Sequence, residues 1–171
     1  MGGTKEPFPF EQLTLQYQKP DFPSPKAVDL LAAQAEAVAL TSTDNYRIIL
    51  KPARDSQIYI FQSTSYGAIV QLFPNENFSS VQNPLRKGQT YCLPSESSWL
   101  YMGKTRGEER LYVISAGALI QDLDDLYARF LRMKEGSKKQ EILSRLVKRL
   151  DALKGANRAN ASCLEFFITH H

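Results

Sequence analysis

The stretch Tyr46-Arg47-Ile48-Ile49-Leu50-Lys51 decides the fold. Tyr46, Ile48 and Leu50 alternate with Arg47, Ile49 and Lys51, a period of two that sends each set to its own face of a strand. The same reading extends to residues 57–62, 68–73, 89–93, 98–102 and 110–115. Short strands spaced by roughly ten residues, with turn residues between them, point to a sandwich or barrel. Ser65-Tyr66-Gly67 and Thr105-Arg106-Gly107 are spaced to close hairpins, and Pro74-Asn75 and Pro84 punctuate a longer loop. The β core is therefore expected over residues 46–116.

Upstream, residues 1–24 read as an extended lead-in, because Pro7, Pro9, Pro20 and Pro23 withhold backbone donors. One short strand fits at 13–17. Ser24 followed by Pro25 has the chemistry of a helix start, so the Ala- and Leu-rich residues 25–40 are expected to be a helix. Downstream of Gly117 the period becomes helical. Leu119, Leu123, Leu126, Tyr127, Phe130 and Leu131 make one apolar stripe, with Asp122, Asp124 and Asp125 suited to a first turn. Gly136 is placed to cap that helix. A second helix runs on Ile142, Leu143, Leu146, Leu150 and Leu153, so residues 119–154 predict a helical hairpin. In the tail, Leu164, Phe166 and Ile168 alternate, which predicts a final strand over 163–169. The fold class is thus α+β: an antiparallel β-sandwich or partly open barrel with an N-terminal helix, a C-terminal helical hairpin and a final strand. At 171 residues it is expected to be a single domain, 1–171.

Composition narrows the function classes. Hydrophobic residues at 43% and charged residues at 23% fit a globular chain and exclude disordered or fibrous ones. No run reaches the roughly 18 apolar residues of a membrane span. The start, Met1 to Glu6, has no apolar h-region, so no signal peptide is expected in the chain as given, which equally fits a mature exported domain. Cys92 and Cys163 lack metal-ligand spacing, and no cofactor or metal site is expected. Two cysteines leave the compartment open between an oxidised bridge and two buried thiols.

The block from Ser56 to Ala116 carries an ordered set of motifs: Tyr59, Gly67, Leu72-Phe73-Pro74-Asn75, Gly88, Leu93-Pro94 and Gly107-Glu108-Glu109. In this it resembles the bacterial family of domain of unknown function 4384. The resemblance implies an accessory module of bacterial envelope proteins, or an appendage on larger chains, some with caspase-like peptidase or kinase domains. A periplasmic or cell-envelope location is the expectation it carries, with the cytoplasm as the alternative. It supplies no catalytic residues, and it ends where the helical hairpin begins. The motif residues also have plain structural roles: Pro74 ends a strand, Asn75 suits a turn, and Gly67, Gly88 and Gly107 supply positive φ.

Candidate chemistry is sparse. On one strand Cys163 and His170 face opposite sides, and Cys163 and His171 lie about 26 Å apart at about 3.3 Å per residue. A cysteine-dependent hydrolase therefore ranks last, and no catalytic residue is assigned. His170 and His171 read as a terminus that frays. Neighbouring Glu108 and Glu109 point to opposite faces and read as a solvated turn. Nine basic and three acidic residues lie between Arg132 and Arg158, a local excess of +6 against +3 for the whole chain. Lys138, Arg145, Lys148 and Arg149 are the candidate basic face, open to an anionic surface but lacking the aromatics that nucleic-acid stacking uses. Tyr59, Phe61, Tyr66, Trp99 and Tyr101 are the candidate ligand-binding aromatics. The expected function is a non-catalytic interaction or assembly module with a protein partner. The alternative is a ligand-binding domain using an aromatic cleft on the β core.

Overall fold

The computed structural model describes residues 8–32, 37–64, 67–155 and 161–171. Two sheets pack face to face, and a pair of helices covers one of them. In the first sheet, β1 (Phe10–Gln18) lies between β2 (Lys26–Asp29) and β4 (Asn45–Pro52). Two short strands, β7 (Tyr91–Leu93) and β8 (Leu100–Tyr101), share the far edge of β4, with residues 94–99 bulging between them. The second sheet runs β3 (Val38–Leu40), β10 (Ala161–His170), β9 (Gly107–Ala116), β5 (Gln57–Ser63) and β6 (Ile69–Phe73). Only β3 runs parallel to its neighbour among the described pairs. The sheets remain separate ladders, so the fold is a sandwich and not a barrel.

The period of two builds the core. Tyr46, Ile48 and Leu50 of β4 point inward, together with Leu13 and Leu15 of β1, and meet Ile58, Ile60, Leu111, Val113, Phe166 and Ile168 of the second sheet. The opposite face of the second sheet carries Tyr59, Phe61, Tyr112, Ile114 and Cys163, which pack under the helices α1 (Gln121–Arg132) and α2 (Ser137–Gly155). The second sheet is apolar on both faces because both are covered. The tail strand joins the sandwich, as its alternation predicts. The helices run antiparallel, since Asp122 at the start of α1 accepts from Arg149 Nε near the end of α2 at 2.6 Å.

Four expectations need correction. The segment 25–40 forms no N-terminal helix in its described part: it gives β2, a turn at Leu30 and β3. Helix propensity spans only a few tenths of a kcal/mol per residue, and this stretch has no wide apolar stripe to bury. As strand it completes a ladder with β1, pairing Thr14 with Asp29 through Tyr17 with Lys26, and Leu30 N–H donates to the Leu13 carbonyl at 2.9 Å. The lead-in strand at 13–17 is a nine-residue central strand, because Pro9 and Pro20 flank it without interrupting its donors. Residues 1–7 of that lead-in lie outside the described residues. Thr105-Arg106-Gly107 closes no hairpin: β8 belongs to the first sheet and β9 to the second, so this turn crosses between layers. Gly136, with φ +146°, opens α2 and does not cap α1, which ends in extended Met133.

Candidate functional site

Each inward row of the sandwich is apolar until it reaches one end, where it becomes polar. On β5 the row Ile58, Ile60 continues to Gln62; on β9 Val113, Leu111 continues to Glu109. On β10 Phe166, Ile168 continues to His170, and on β4 Leu50, Ile48 continues to Tyr46. All four end residues are buried, Glu109 and His170 to 2% residual exposure. Three of them, Tyr46, Gln62 and Glu109, form a hydrogen-bonded line. The Tyr46 hydroxyl donates to Gln62 Oε1, and Gln62 Nε2 donates to Glu109 Oε2. Burial, and after it the Glu109 carboxylate, push the Tyr46 hydroxyl well above the ordinary tyrosine range, so it stays a donor.

Above this polar floor a cleft of about 470 Å³ opens between the edge strands β6 and β8. Its walls are Val70 and Leu72 on one side and Trp99, Leu100 and Tyr101 on the other, with Phe78 from the intervening loop at the mouth. Tyr101 is 75% exposed, and Phe78 is also exposed. A cavity of a few hundred Å³, largely apolar with a few convergent polar groups, is the usual form of a ligand site. Trp99 is held from behind. Its ring centroid lies 4.2 Å from the Arg47 guanidinium, which donates to Gln16 Oε1 at 2.5 Å and to the Glu96 carbonyl at 2.6 Å. Arg47 thus ties the 94–99 bulge to the solvent face of the first sheet and fixes the indole at the cleft.

The structure divides the five candidate aromatics. Trp99 and Tyr101 line the cleft. Tyr59 and Phe61 face the helices: the Tyr59 hydroxyl donates to Asp124 and accepts from Ile120 N–H, each at 3.1 Å, while Phe61 packs edge-on against Tyr127. Parity explains the division, because Tyr59 and Phe61 occupy the odd positions of β5 and Gln62 an even one. Tyr66 lies outside the described residues. Along α2, Lys138, Arg145 and Lys148 are exposed, whereas Arg149 is engaged by Asp122.

Glu109 and His170 are corrections to the sequence reading. Glu108 is exposed as a turn residue would be, but Glu109 is buried between the sheets. His170 is no frayed end: its Nε2 lies 2.8 Å from Ser42 Oγ, and its backbone pairs with β3 and β9. The signal for both was present in the strand parity, since each continues an apolar row by two residues. Ser42, His170 and Glu109 fall into a serine–histidine–carboxylate order. Yet His170 Nδ1 stands 3.8 Å from Glu109 Oε1, beyond hydrogen-bond length, and Ser42 is not among the cleft-lining residues. The Ser42 hydroxyl ties the 41–44 turn to β10.

The cysteines are placed apart. Cys163 faces the helices and His170 the sandwich interior, as the odd spacing requires. Burial pushes the Cys163 thiol up to about 12. Cys92 is half-buried, with Sγ 3.2 Å from the Ser95 carbonyl and a raised pKa from partial burial. At pH 8 in the native state an aromatic disulfide reagent should therefore label Cys92 slowly and Cys163 only after denaturant is added. Native labelling of both at equal rates would contradict this placement. Because folding raises the Cys163 pKa, the contribution of its neutral thiol is fully present below the ordinary thiol value near 9.0 and is lost as pH rises toward 12. Among the described residues no three His, Cys, Asp or Glu side chains cluster to hold a metal, and no helix is long and apolar enough to cross a membrane.

Residues 41–117 match the family model described as Domain of unknown function (DUF4384). No curated protein matches the chain. The match begins earlier than the motif block at Ser56 and takes in β4, while β1, β2, β3, both helices and β10 lie outside it. Every residue that lines the cleft falls inside it. The segment that builds the cleft, residues 41–117, is thus the part of the chain that is similar to the DUF4384 family.

Proposed function

We propose that this protein is a non-catalytic interaction module, carried by a bacterial envelope-associated or multidomain protein, that grips a protein partner through the aromatic cleft. The observation that carries this reading is the cleft itself: about 470 Å³, with Trp99, Tyr101 and Phe78 around a mouth open to solvent. Exposed aromatics beside a concave apolar surface are the features of a binding hot spot. The non-catalytic part is supported by the unjoined His170–Glu109 step and by a Cys163 thiol kept neutral under the helices. The bacterial envelope setting is supported by the family resemblance. A second reading, a pocket for a free small molecule, is favoured by the cavity volume alone.

The chain has one tryptophan, Trp99, and it lines the cleft, so its emission reports occupancy. Peptides selected from a random phage-displayed library should shift that emission. They should bind the Phe78→Ala/Tyr101→Ala double variant about tenfold more weakly, since removing an aromatic anchor costs more than about 1 kcal/mol. Both side chains are solvent-exposed, so the variant should melt like the parent. If no peptide is enriched, or if binding leaves Trp99 emission and the double variant unaffected, this reading fails.

A further inference from the structure

We propose that the cleft selects a cationic side chain, arginine or lysine, from the partner polypeptide, with Glu109 as its anionic anchor. This rests on the reading of the cleft as a partner-binding surface and names what it recognises. Among the described residues that line the cleft, Glu109 is the charged one. Its side chain retains only 3% exposure, and its Oε2 is held by the neutral amide of Gln62. Its Oε1 lies 3.8 Å from His170 Nδ1, too far for a hydrogen bond and an ion pair only with a protonated imidazole, and among the described residues no lysine or arginine forms an ion pair with it. A carboxylate removed from water in this way wants a counter-cation. The walls supply complementary chemistry, because Trp99, Tyr101 and Phe78 present π systems that attract cations. The same indole already stacks with a guanidinium from its own chain, that of Arg47. A cationic side chain entering between the aromatics would place its charge toward Glu109 and its methylene stem against Val70 and Leu72.

The probes are three: acetyl-Phe-Arg-Phe-amide, the same peptide with citrulline in place of arginine, and free n-butylguanidinium. Each is titrated into the full chain while Trp99 emission is followed. The arginine peptide should bind at least about tenfold tighter than the citrulline peptide, the usual margin of a charge-assisted hydrogen bond. In Glu109→Gln, which keeps an acceptor for Gln62, that margin should fall below about twofold. Equal binding of the two peptides to the parent chain overturns the charge selection while leaving the peptide-binding cleft intact. No response to either peptide overturns the selection for cations, and whether the cleft grips any polypeptide is then decided by the library selection. Saturation by n-butylguanidinium as tightly as by the peptide would assign the cleft to a free amine-like ligand and overturn the polypeptide source. Should Glu109→Gln fail to fold, the citrulline comparison on the parent chain still decides.

Discussion

Deleting residues 161–171 is expected to abolish cooperative unfolding, leaving a chain that aggregates or melts without a transition. The reason lies in where β10 sits. It fills the second sheet between β3 and β9, matching β9 over ten residue pairs from Ala161–Ala116 to His170–Gly107. Its removal leaves β9 with an open edge in mid-sheet and strands β3 with no other ladder. It also takes Phe166 and Ile168 from the sandwich core and Cys163 from beneath the helices. Phe166 and Ile168 alone contribute roughly 3–6 kcal/mol of burial, against a typical domain stability of about 5–15 kcal/mol. Circular dichroism melting with size-exclusion chromatography reads the outcome. A monomeric truncation with an unchanged melting temperature would make β10 a peripheral arm. By the same reasoning residues 41–117 produced alone should not fold, because the matched segment lacks both central β1 and β10.

Phe61→Ala should lower stability by about 3–5 kcal/mol, the usual range for emptying a fully buried aromatic site. In a chain of this length that corresponds to a melting temperature lower by on the order of 10 °C. Phe61 has no residual exposure and meets Tyr127 with ring centroids 5.6 Å apart, so the loss falls on the contact between the second sheet and α1. Binding in the cleft should survive wherever the variant remains folded. Tyr101→Ala should do the reverse: weaker binding at Trp99, with a melting temperature within about a degree of the parent, as for an exposed surface change. Loss of cleft binding in folded Phe61→Ala would mean that the two faces of the second sheet are coupled, and the separation drawn between Phe61 and Tyr101 would fall.

Much of this architecture is legible in the residues alone. Tyr46-Ile48-Leu50 and Leu164-Phe166-Ile168 declare by their period which side chains face inward, because successive residues of a strand must point to opposite sides. The stripes of residues 119–154 declare a helical hairpin that needs a covering surface. The motif set around Leu72-Phe73-Pro74-Asn75 points to its family without any knowledge of the fold. Part of the site is also within reach: Trp99 and Tyr101 are among the five aromatics, and strict parity would set Tyr59 and Phe61 on the other face.

Period alone, however, fixes a face and not a neighbour. Residues 26–40 carry helix-forming composition, yet β1 offers a free edge and β10 another, and ladders that also bury Leu30, Val38 and Leu40 outweigh a propensity of tenths of a kcal/mol per residue. Parity turns the polar ends of these rows inward, but that they meet was out of reach, because Tyr46, Gln62, Glu109 and His170 come from four strands spread over more than a hundred positions. By itself the sequence determined the strands from Tyr46 onward, their inward faces, the helical hairpin and the family resemblance. Only the tertiary structure decided which edges pair and which polar residues meet, because pairing between distant strands depends on how all the apolar faces are covered at once.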